Sequence, residues 1–264
     1  MGHVRVGKLP KVRGWNQVIA LLDSGDSSSS DIAAATAKAA KDFISQKSTD
    51  PSLVFSYWLL TQITARAKSD NFIEEIKQIG LDMSRVESAL DFLGSVASFT
   101  RSQIKTRGET FPLSEFAQLS LREVLTETIG QQSQSLFGTT QKDVILACQR
   151  YSRPNQFAKL SRLYFSKVLN RCMQFFVSKE SPNNVGEGKK FKDISDLSDF
   201  NAALQAYCYQ SAKIVEDFAG GWYSKRNWQG EISEQDARGF VAVAMEKLRA
   251  EIAREEQTTG AGDE

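Results

Sequence analysis

The sequence contains only one histidine, His3, among its 264 residues. Zinc sites built on His-Glu-x-x-His, di-iron bundles with Glu-x-x-His pairs and helical metal-dependent phosphohydrolases all need imidazole groups on packed helices. Serine and cysteine nucleophiles that use a histidine base also need one. Because His3 precedes the first predicted helix, we expect none of these catalytic sites, no metal site and no cofactor.

Cysteine and long apolar runs are also scarce. The three cysteines, Cys148, Cys172 and Cys208, are odd in number and lie far apart in apolar helical patterns. This favours buried thiols in a reducing compartment over a disulfide framework. The longest apolar run, around 53–60, is interrupted by polar residues and is shorter than the roughly 20 residues of a membrane span. Val6 stands where a myristoylation signal has Ser or Thr. We therefore expect a cytoplasmic protein without a membrane span or a lipid anchor.

The periodicity of the apolar residues predicts helices. Apolar residues recur at spacings of three and four, as in Val86, Leu90 and Leu93, whereas convincing alternating runs bounded by hairpin turns are missing. All five prolines fall at segment boundaries, where they interrupt no helix. We predict an all-α protein with about ten helices in one compact, bundle-like body without a substantial β-sheet. A bilobal arrangement is the alternative.

Cap signals indicate where these helices begin. Asp50 before Pro51 supplies a capping carboxylate and a ring fixed at a helical φ. Ser84 with Glu87 fits a capping box. The predicted helix starts are Gly14, Asp31, Pro51, Asp70, Ser84, Leu113, Gln141, Asn155, Asp199 and Ser233.

The domain organisation follows from the same pattern. We predict a basic amino-terminal arm over residues 1–13, a single all-helical domain over 14–256 and a disordered tail over 257–264. A boundary within the domain, near 107–112, is the alternative. The net charge of +1 indicates no global electrostatic partner, so any affinity for a polyanion must come from a local patch.

One segment, 218–230, combines paired glycines with aromatic and basic residues in a way that helix packing does not predict. Gly220 and Gly221 are expected to end a helix, so that the following aromatics lie in a loop. Large aromatics with a polar edge are costly in a loop unless they pack back onto the core or meet a partner. Both interpretations stay open. The residues of the binding surface would be Trp222, Tyr223, Lys225, Arg226 and Trp228.

A second candidate surface is basic. Residues 142–192 carry eleven basic and three acidic side chains, and the helix within this region is predicted to have a basic arc opposite an apolar face. Such an arc could lie on the phosphates of a nucleic acid. The alternative is a solvated helix face that is offset by the acidic segment 231–264. The nucleic-acid contacts would be Arg150, Arg153, Lys159, Arg162, Lys167, Arg171, Lys189, Lys190 and Lys192.

The acidic residues have ordinary explanations. Glu123 and Glu127 lie one helical turn apart and could bind magnesium, but glutamates at this spacing usually decorate a solvated helix face. The acidic run Asp193, Asp196 and Asp199 is expected to cap a helix and stabilise its positive end. We therefore expect no enzyme. A magnesium-dependent activity that uses only carboxylates and lysines is the alternative left open.

Together these patterns predict a non-enzymatic helical interaction or accessory subunit of a cytosolic multiprotein assembly, of which a defence-type system is one example. A protein partner would bind the 218–230 segment. The alternative is a nucleic-acid-binding accessory protein that uses the basic 142–192 region. The two hypotheses differ in one measurable property, because affinity for nucleic acid decreases steeply with salt.

Overall fold

Helices make up most of the described chain. The structure is a computed structural model that describes residues 13–24, 31–32, 35–36, 38–40, 49–108, 113–133, 140–178 and 181–259. Its continuous helices are α1 (Arg13–Asp23), α2 (Pro51–Arg66), α3 (Phe72–Gln78), α4 (Ala89–Arg107), α5 (Leu113–Leu125), α6 (Gln141–Arg150), α7 (Pro154–Val177), α8 (Ile194–Ser211), α9 (Lys213–Gln229) and α10 (Glu234–Thr259). One turn of π-helix, Thr126–Gly130, continues α5.

The all-α prediction is confirmed. The described residues form no β-strand, and their only β-pairing is an isolated bridge between Val185 and Phe191. Within the same ranges, no helix has both the length and the apolar character that a membrane crossing requires. Most of the predicted arm (1–13) and of the predicted tail (257–264) lies outside the described residues.

Two predicted helix caps have the expected chemistry. The Asp50 carboxylate accepts hydrogen bonds from the backbone N–H groups of Ser52 and Leu53, and Pro51 is the first residue of α2. Asp193 accepts from the N–H groups of the second and third residues of α8. The predicted capping role is confirmed for Asp193, whereas the predicted helix start at Asp199 is wrong, because α8 begins at Ile194 and Asp199 lies inside it.

The predicted start at Ser84 is wrong. The capping box that begins α4 is formed by Ser88 and Asp91, whose side chains each accept a hydrogen bond from the other residue's backbone N–H. The backbone N–H of Ser84 instead donates to Asp82 Oδ1 at 2.9 Å. Both sequences match the serine-x-x-acid pattern, and the later one lies directly before the uninterrupted helix.

The core is built around α2, α7 and α10. α2 is buried along most of its length and packs against α4, α5 and α10, while α7 packs against α5, α8 and α9. At the centre, the ring of Tyr57 stacks on Phe240 with a centroid distance of 4.8 Å. Its hydroxyl forms a 3.0 Å hydrogen bond with Ser161 Oγ. This bond satisfies a polar group that would otherwise be buried without a partner.

The structure contradicts the prediction that the paired glycines, Gly220 and Gly221, end a helix. The helix runs without interruption through Gly220 and Gly221 and ends at Gln229, and the capping residue that follows, Gly230, has a positive φ of 136°. The predicted loop after Gly221 is therefore wrong. Gly220 lies where α9 crosses the beginning of α7, and a Cβ atom there would be 3.0 Å from the carbonyl oxygen of Pro154. Close packing between helices explains this glycine.

Candidate functional site

The five side chains predicted as a binding surface in 218–230 divide between the core and the surface. Tyr223 is fully buried. Its ring stacks on Phe157 at a centroid distance of 3.9 Å, and its hydroxyl donates to Thr64 Oγ1 at 3.2 Å. Burial raises the pKa of Tyr223 to about 12, so the phenol stays protonated at neutral pH. In this structure Tyr223 is a core residue and is not accessible to a partner.

Trp222 also faces inward. Its indole ring lies 4.5 Å from the Phe240 ring and 6.5 Å from the Phe157 ring, measured between centroids. The side chain is partly buried and packs against the hydrophobic core. For Trp222 and Tyr223, the interpretation that the aromatics of this segment pack onto the core is therefore correct.

Arg226 connects the end of α9 to the beginning of α10. Its guanidinium lies 3.1 Å from a carboxylate oxygen of Asp236. The pKa of Asp236 is lowered by hydrogen bonding, chiefly from Ser233, and by the positive charge of Arg226. Arg226 therefore has an internal partner. Of the five predicted residues, only Lys225 and Trp228 are well exposed.

Trp228 is the most exposed large apolar side chain among the described residues, with 88% of its surface accessible. Gly221, Ser224 and Lys225 are also exposed and precede it by seven, four and three residues along α9, so all four share one side of the helix. We call these four residues the exposed α9 face. A Cβ atom at Gly221 would meet no described atom within 4 Å, so packing within the described chain does not explain this glycine.

The chain segment that follows the exposed α9 face is held firmly. The carbonyl oxygen of Ile232 accepts hydrogen bonds from Trp58 Nε1 at 3.0 Å and from Gln62 Nε2 at 2.7 Å. Arg66 forms an ion pair with Glu231. These contacts connect the turn between α9 and α10 to α2. Trp228 thus lies three residues before Glu231 and four before Ile232, the residues that are bound to α2.

The predicted basic arc of α7 is wrong for three of its members. Lys167 is only 4% exposed, and its Nζ donates to Glu123 Oε1 and to Glu127 Oε1, each at 2.7 Å. Arg171 also forms an ion pair with Glu123. Burial of the ammonium group acts to lower the pKa of Lys167, but hydrogen bonds and charge from the two glutamates raise it above its ordinary value. Lys167 is therefore a cation inside a charged cluster.

Arg162 is the third inward-facing member. Its guanidinium lies 3.0 Å from Glu216 Oε2 on α9 and 3.8 Å from the ring centroid of Tyr209. Both contacts hold the side chain against neighbouring helices. The periodicity of α7 gave the correct helix, but it could not reveal that carboxylates of α5 and α9 approach this side of it.

The remaining cations of the predicted nucleic-acid surface are exposed, with the exception of Lys190. Lys189 donates to the backbone carbonyl of Asn183 at 2.6 Å, and Lys190 is half-buried. Arg150 and Arg153 line one polar pocket. The exposed members of the predicted set are Arg150, Arg153, Lys159, Lys189 and Lys192.

The glutamate pair has a partner that the sequence did not identify. Glu123 and Glu127 both contact Lys167, which is 44 and 40 residues away in the chain. The only sequence signal for this contact was the position of Lys167 at the edge of the apolar stripe of α7. No spacing rule connects a lysine in that position to a glutamate pair on another helix. Within the described ranges, no three His, Cys, Asp or Glu side chains form a group that could hold a metal ion.

Comparison of the chain with protein-family models, with curated proteins and with solved structures finds no match. Function is therefore inferred from the arrangement of these side chains alone.

Proposed function

We propose that this protein is a non-enzymatic interaction subunit of a cytosolic assembly and that its exposed α9 face binds a partner protein. The observation that carries the proposal is the 88% exposure of Trp228 on a helix whose following turn is fixed to the core. Tryptophan is enriched among the residues that contribute most to protein–protein binding energy. Burying a large apolar side chain contributes about 1.5–3 kcal/mol.

Gly221 supports the same surface. Glycine inside a helix costs about 1 kcal/mol relative to alanine, and no described neighbour requires it here. Gly221 and Ser224 have small side chains, so a partner helix could approach the backbone of α9 closely at these two residues. Lys225 forms no salt bridge with the described acidic residues. The fitting partner presents a helix opposite Gly221, an apolar pocket for Trp228 and a carboxylate for Lys225.

A cytosolic location fits the three free, buried cysteines, because reducing compartments keep thiols unpaired. The nucleic-acid alternative has weaker support, since Arg162, Lys167 and Arg171 already contact acidic side chains. A magnesium-dependent activity at Glu123 and Glu127 also has weaker support, because the ammonium group of Lys167 lies between the two carboxylates.

The test is affinity purification from the native cell, with and without nuclease, followed by binding measurements with the purified partner. Trp228→Ala removes the proposed anchor and Gly221→Gln blocks the close approach. Leu90→Ala removes another apolar side chain that is 79% exposed and is the matched control. We expect the two α9 variants to weaken binding by about 30-fold or more and the control to bind like the wild type.

Equal affinity of the wild type, Trp228→Ala and Gly221→Gln for every captured protein would contradict the proposal. Capture that disappears with nuclease, together with affinity that decreases steeply with salt, would favour the nucleic-acid alternative instead.

A further inference from the structure

A second candidate site lies where α6 meets α7. Arg150 is the last residue of α6, Tyr151 follows it, and Arg153 directly precedes α7. Together with Gln132 and Gln156 they line a pocket of about 390 Å³. None of these five residues is acidic, and every one carries a hydrogen-bonding side chain. The pocket volume falls in the range of small-molecule sites, which is about 300–1,000 Å³.

We propose that this pocket binds a phosphate dianion, either free or as the terminal group of a small phosphate ester. Its two guanidinium groups are exposed, and neither forms a salt bridge with the described acidic residues. Two like charges that share one pocket repel each other, and an anion between them removes this repulsion. Arginine suits the role because its planar fork can donate two parallel hydrogen bonds to a phosphate.

Tyr151 offers a neutral donor to the same anion. Its side chain is largely buried, with 7% exposure, and its hydroxyl oxygen accepts a hydrogen bond from Gln132 Nε2 at 2.5 Å. The phenol hydrogen is then left for another acceptor, and none of the described residues accepts it. Burial raises the pKa of Tyr151, which keeps this hydrogen in place at neutral pH.

The start of α7 adds to the positive potential. α7 is 24 residues long and begins at Pro154, next to Arg153. The aligned peptide dipoles of a helix place partial positive charge at its amino-terminal end, where anions are stabilised. The end of α6 at Arg150 places partial negative charge at the same junction, so the two guanidinium groups supply most of the positive potential.

The shape of the site favours a terminal phosphate over a nucleic-acid backbone. A phosphate monoester carries a charge of about −1.5 to −2 at pH 7, whereas each diester phosphate in a nucleic acid carries a single negative charge. A concave pocket with two arginines matches one dianion. A nucleic acid needs a row of cations along an open surface, and several cations of this region are engaged elsewhere.

Titration calorimetry of the full chain tests the proposal with three probes. Glycerol 3-phosphate and inorganic phosphate distinguish an ester from the free ion. A short single-stranded oligonucleotide without a terminal phosphate tests the diester backbone. The variants are Arg150→Gln, Arg153→Gln and Tyr151→Phe. Lys159→Gln is the matched control, because it removes one exposed cation of α7 without touching the pocket.

We expect the wild type to bind at least one of the two phosphate probes. Each arginine variant should raise the Kd about 10-fold, Tyr151→Phe should raise it by roughly 3- to 10-fold, and Lys159→Gln should leave it unchanged. Thermal unfolding of each variant checks that the fold is retained. Trp228→Ala should bind phosphate like the wild type, so this site can fail or succeed independently of the exposed α9 face.

Three results would overturn the proposal. The first is no binding of either phosphate probe by the wild type at millimolar concentration. The second is an equal loss of affinity in Lys159→Gln and Arg153→Gln, which would indicate diffuse charge attraction. The third is tighter binding of the oligonucleotide than of both phosphate probes, which would indicate a nucleic-acid surface.

Discussion

A Cβ atom on Gly220 would lie 3.0 Å from the carbonyl oxygen of Pro154. The obstructing atom belongs to the backbone at the start of α7, so it cannot rotate away as a side chain could. Gly221, the next residue, faces open space among the described atoms. The two adjacent glycines therefore have different roles: the first permits contact between two helices, and the second lies on the exposed α9 face.

Alanine at these two positions should have opposite effects on stability. Gly221→Ala should raise the free energy of unfolding by up to about 1 kcal/mol, because alanine favours the helix. Gly220→Ala gains the same helix preference but forces α9 away from α7, and such overpacking costs about 1–3 kcal/mol. Urea denaturation should find Gly220→Ala the less stable variant. Equal stability of the two variants would contradict the close contact.

Local features of this fold could be predicted from the sequence, whereas contacts between distant helices could not. The helix start at Asp50 and Pro51 could be predicted because a capping side chain bonds to residues two or three positions away. The role of Gly220 could not be predicted, since a glycine that ends a helix and a glycine that allows close packing of a second helix look alike in sequence. The contact with Pro154, far away in the chain, decides between them. The prediction that Lys167 belongs to an exposed surface was wrong for the same reason. Its partner Glu123 lies on another helix, far away in the chain.

Tyr223 and Trp228 should differ sharply when they are truncated. Tyr223→Ala removes a fully buried ring that stacks on Phe157 and should lower the free energy of unfolding by about 3–5 kcal/mol. Trp228→Ala removes an exposed side chain and should change it by no more than about 0.5 kcal/mol. Denaturation curves of both variants measure the difference. A large loss of stability in Trp228→Ala would show that this side chain packs onto the chain.

Replacing Lys167 should destabilise the fold far more than replacing an exposed lysine of the same helix. Lys167→Met leaves Glu123 and Glu127 one turn apart without the cation between them, and we expect a loss of about 1–3 kcal/mol. Lys159→Met is the control and should stay within about 0.5 kcal/mol of the wild type. Similar losses in both variants would mean that the cluster contributes little to stability.

The cysteines should be inert in the folded protein. Cys148, Cys172 and Cys208 are all free and buried, which confirms the expectation of buried thiols. Burial raises the pKa of Cys172 to about 12 and that of Cys148 further, so little reactive thiolate is present at neutral pH. A colorimetric thiol reagent should therefore label none of the three before unfolding and all three in denaturant. Rapid labelling of the native protein would show that a thiol is accessible.

Acid should weaken the cluster around Glu123. Burial acts to raise the pKa of this carboxyl, but the hydrogen bond from Lys167 and the charges of Lys167 and Arg171 lower it below its ordinary value. The unfolded chain therefore binds more protons than the folded one as the pH falls through the ordinary glutamate pKa of about 4.3. The stability contributed by Glu123 is present above that pH and is lost as the pH falls through the folded-state pKa.

The difference in unfolding free energy between the wild type and Glu123→Gln should accordingly shrink from about pH 7 to about pH 3. The same substitution in a Lys167→Met background is the control. There the difference should depend less on pH, because the main hydrogen-bond donor that lowers the carboxyl pKa has been removed. Urea denaturation at a series of pH values measures both differences. A gap between the wild type and Glu123→Gln that stays constant or widens in acid would show that Lys167 does not stabilise the charged carboxylate.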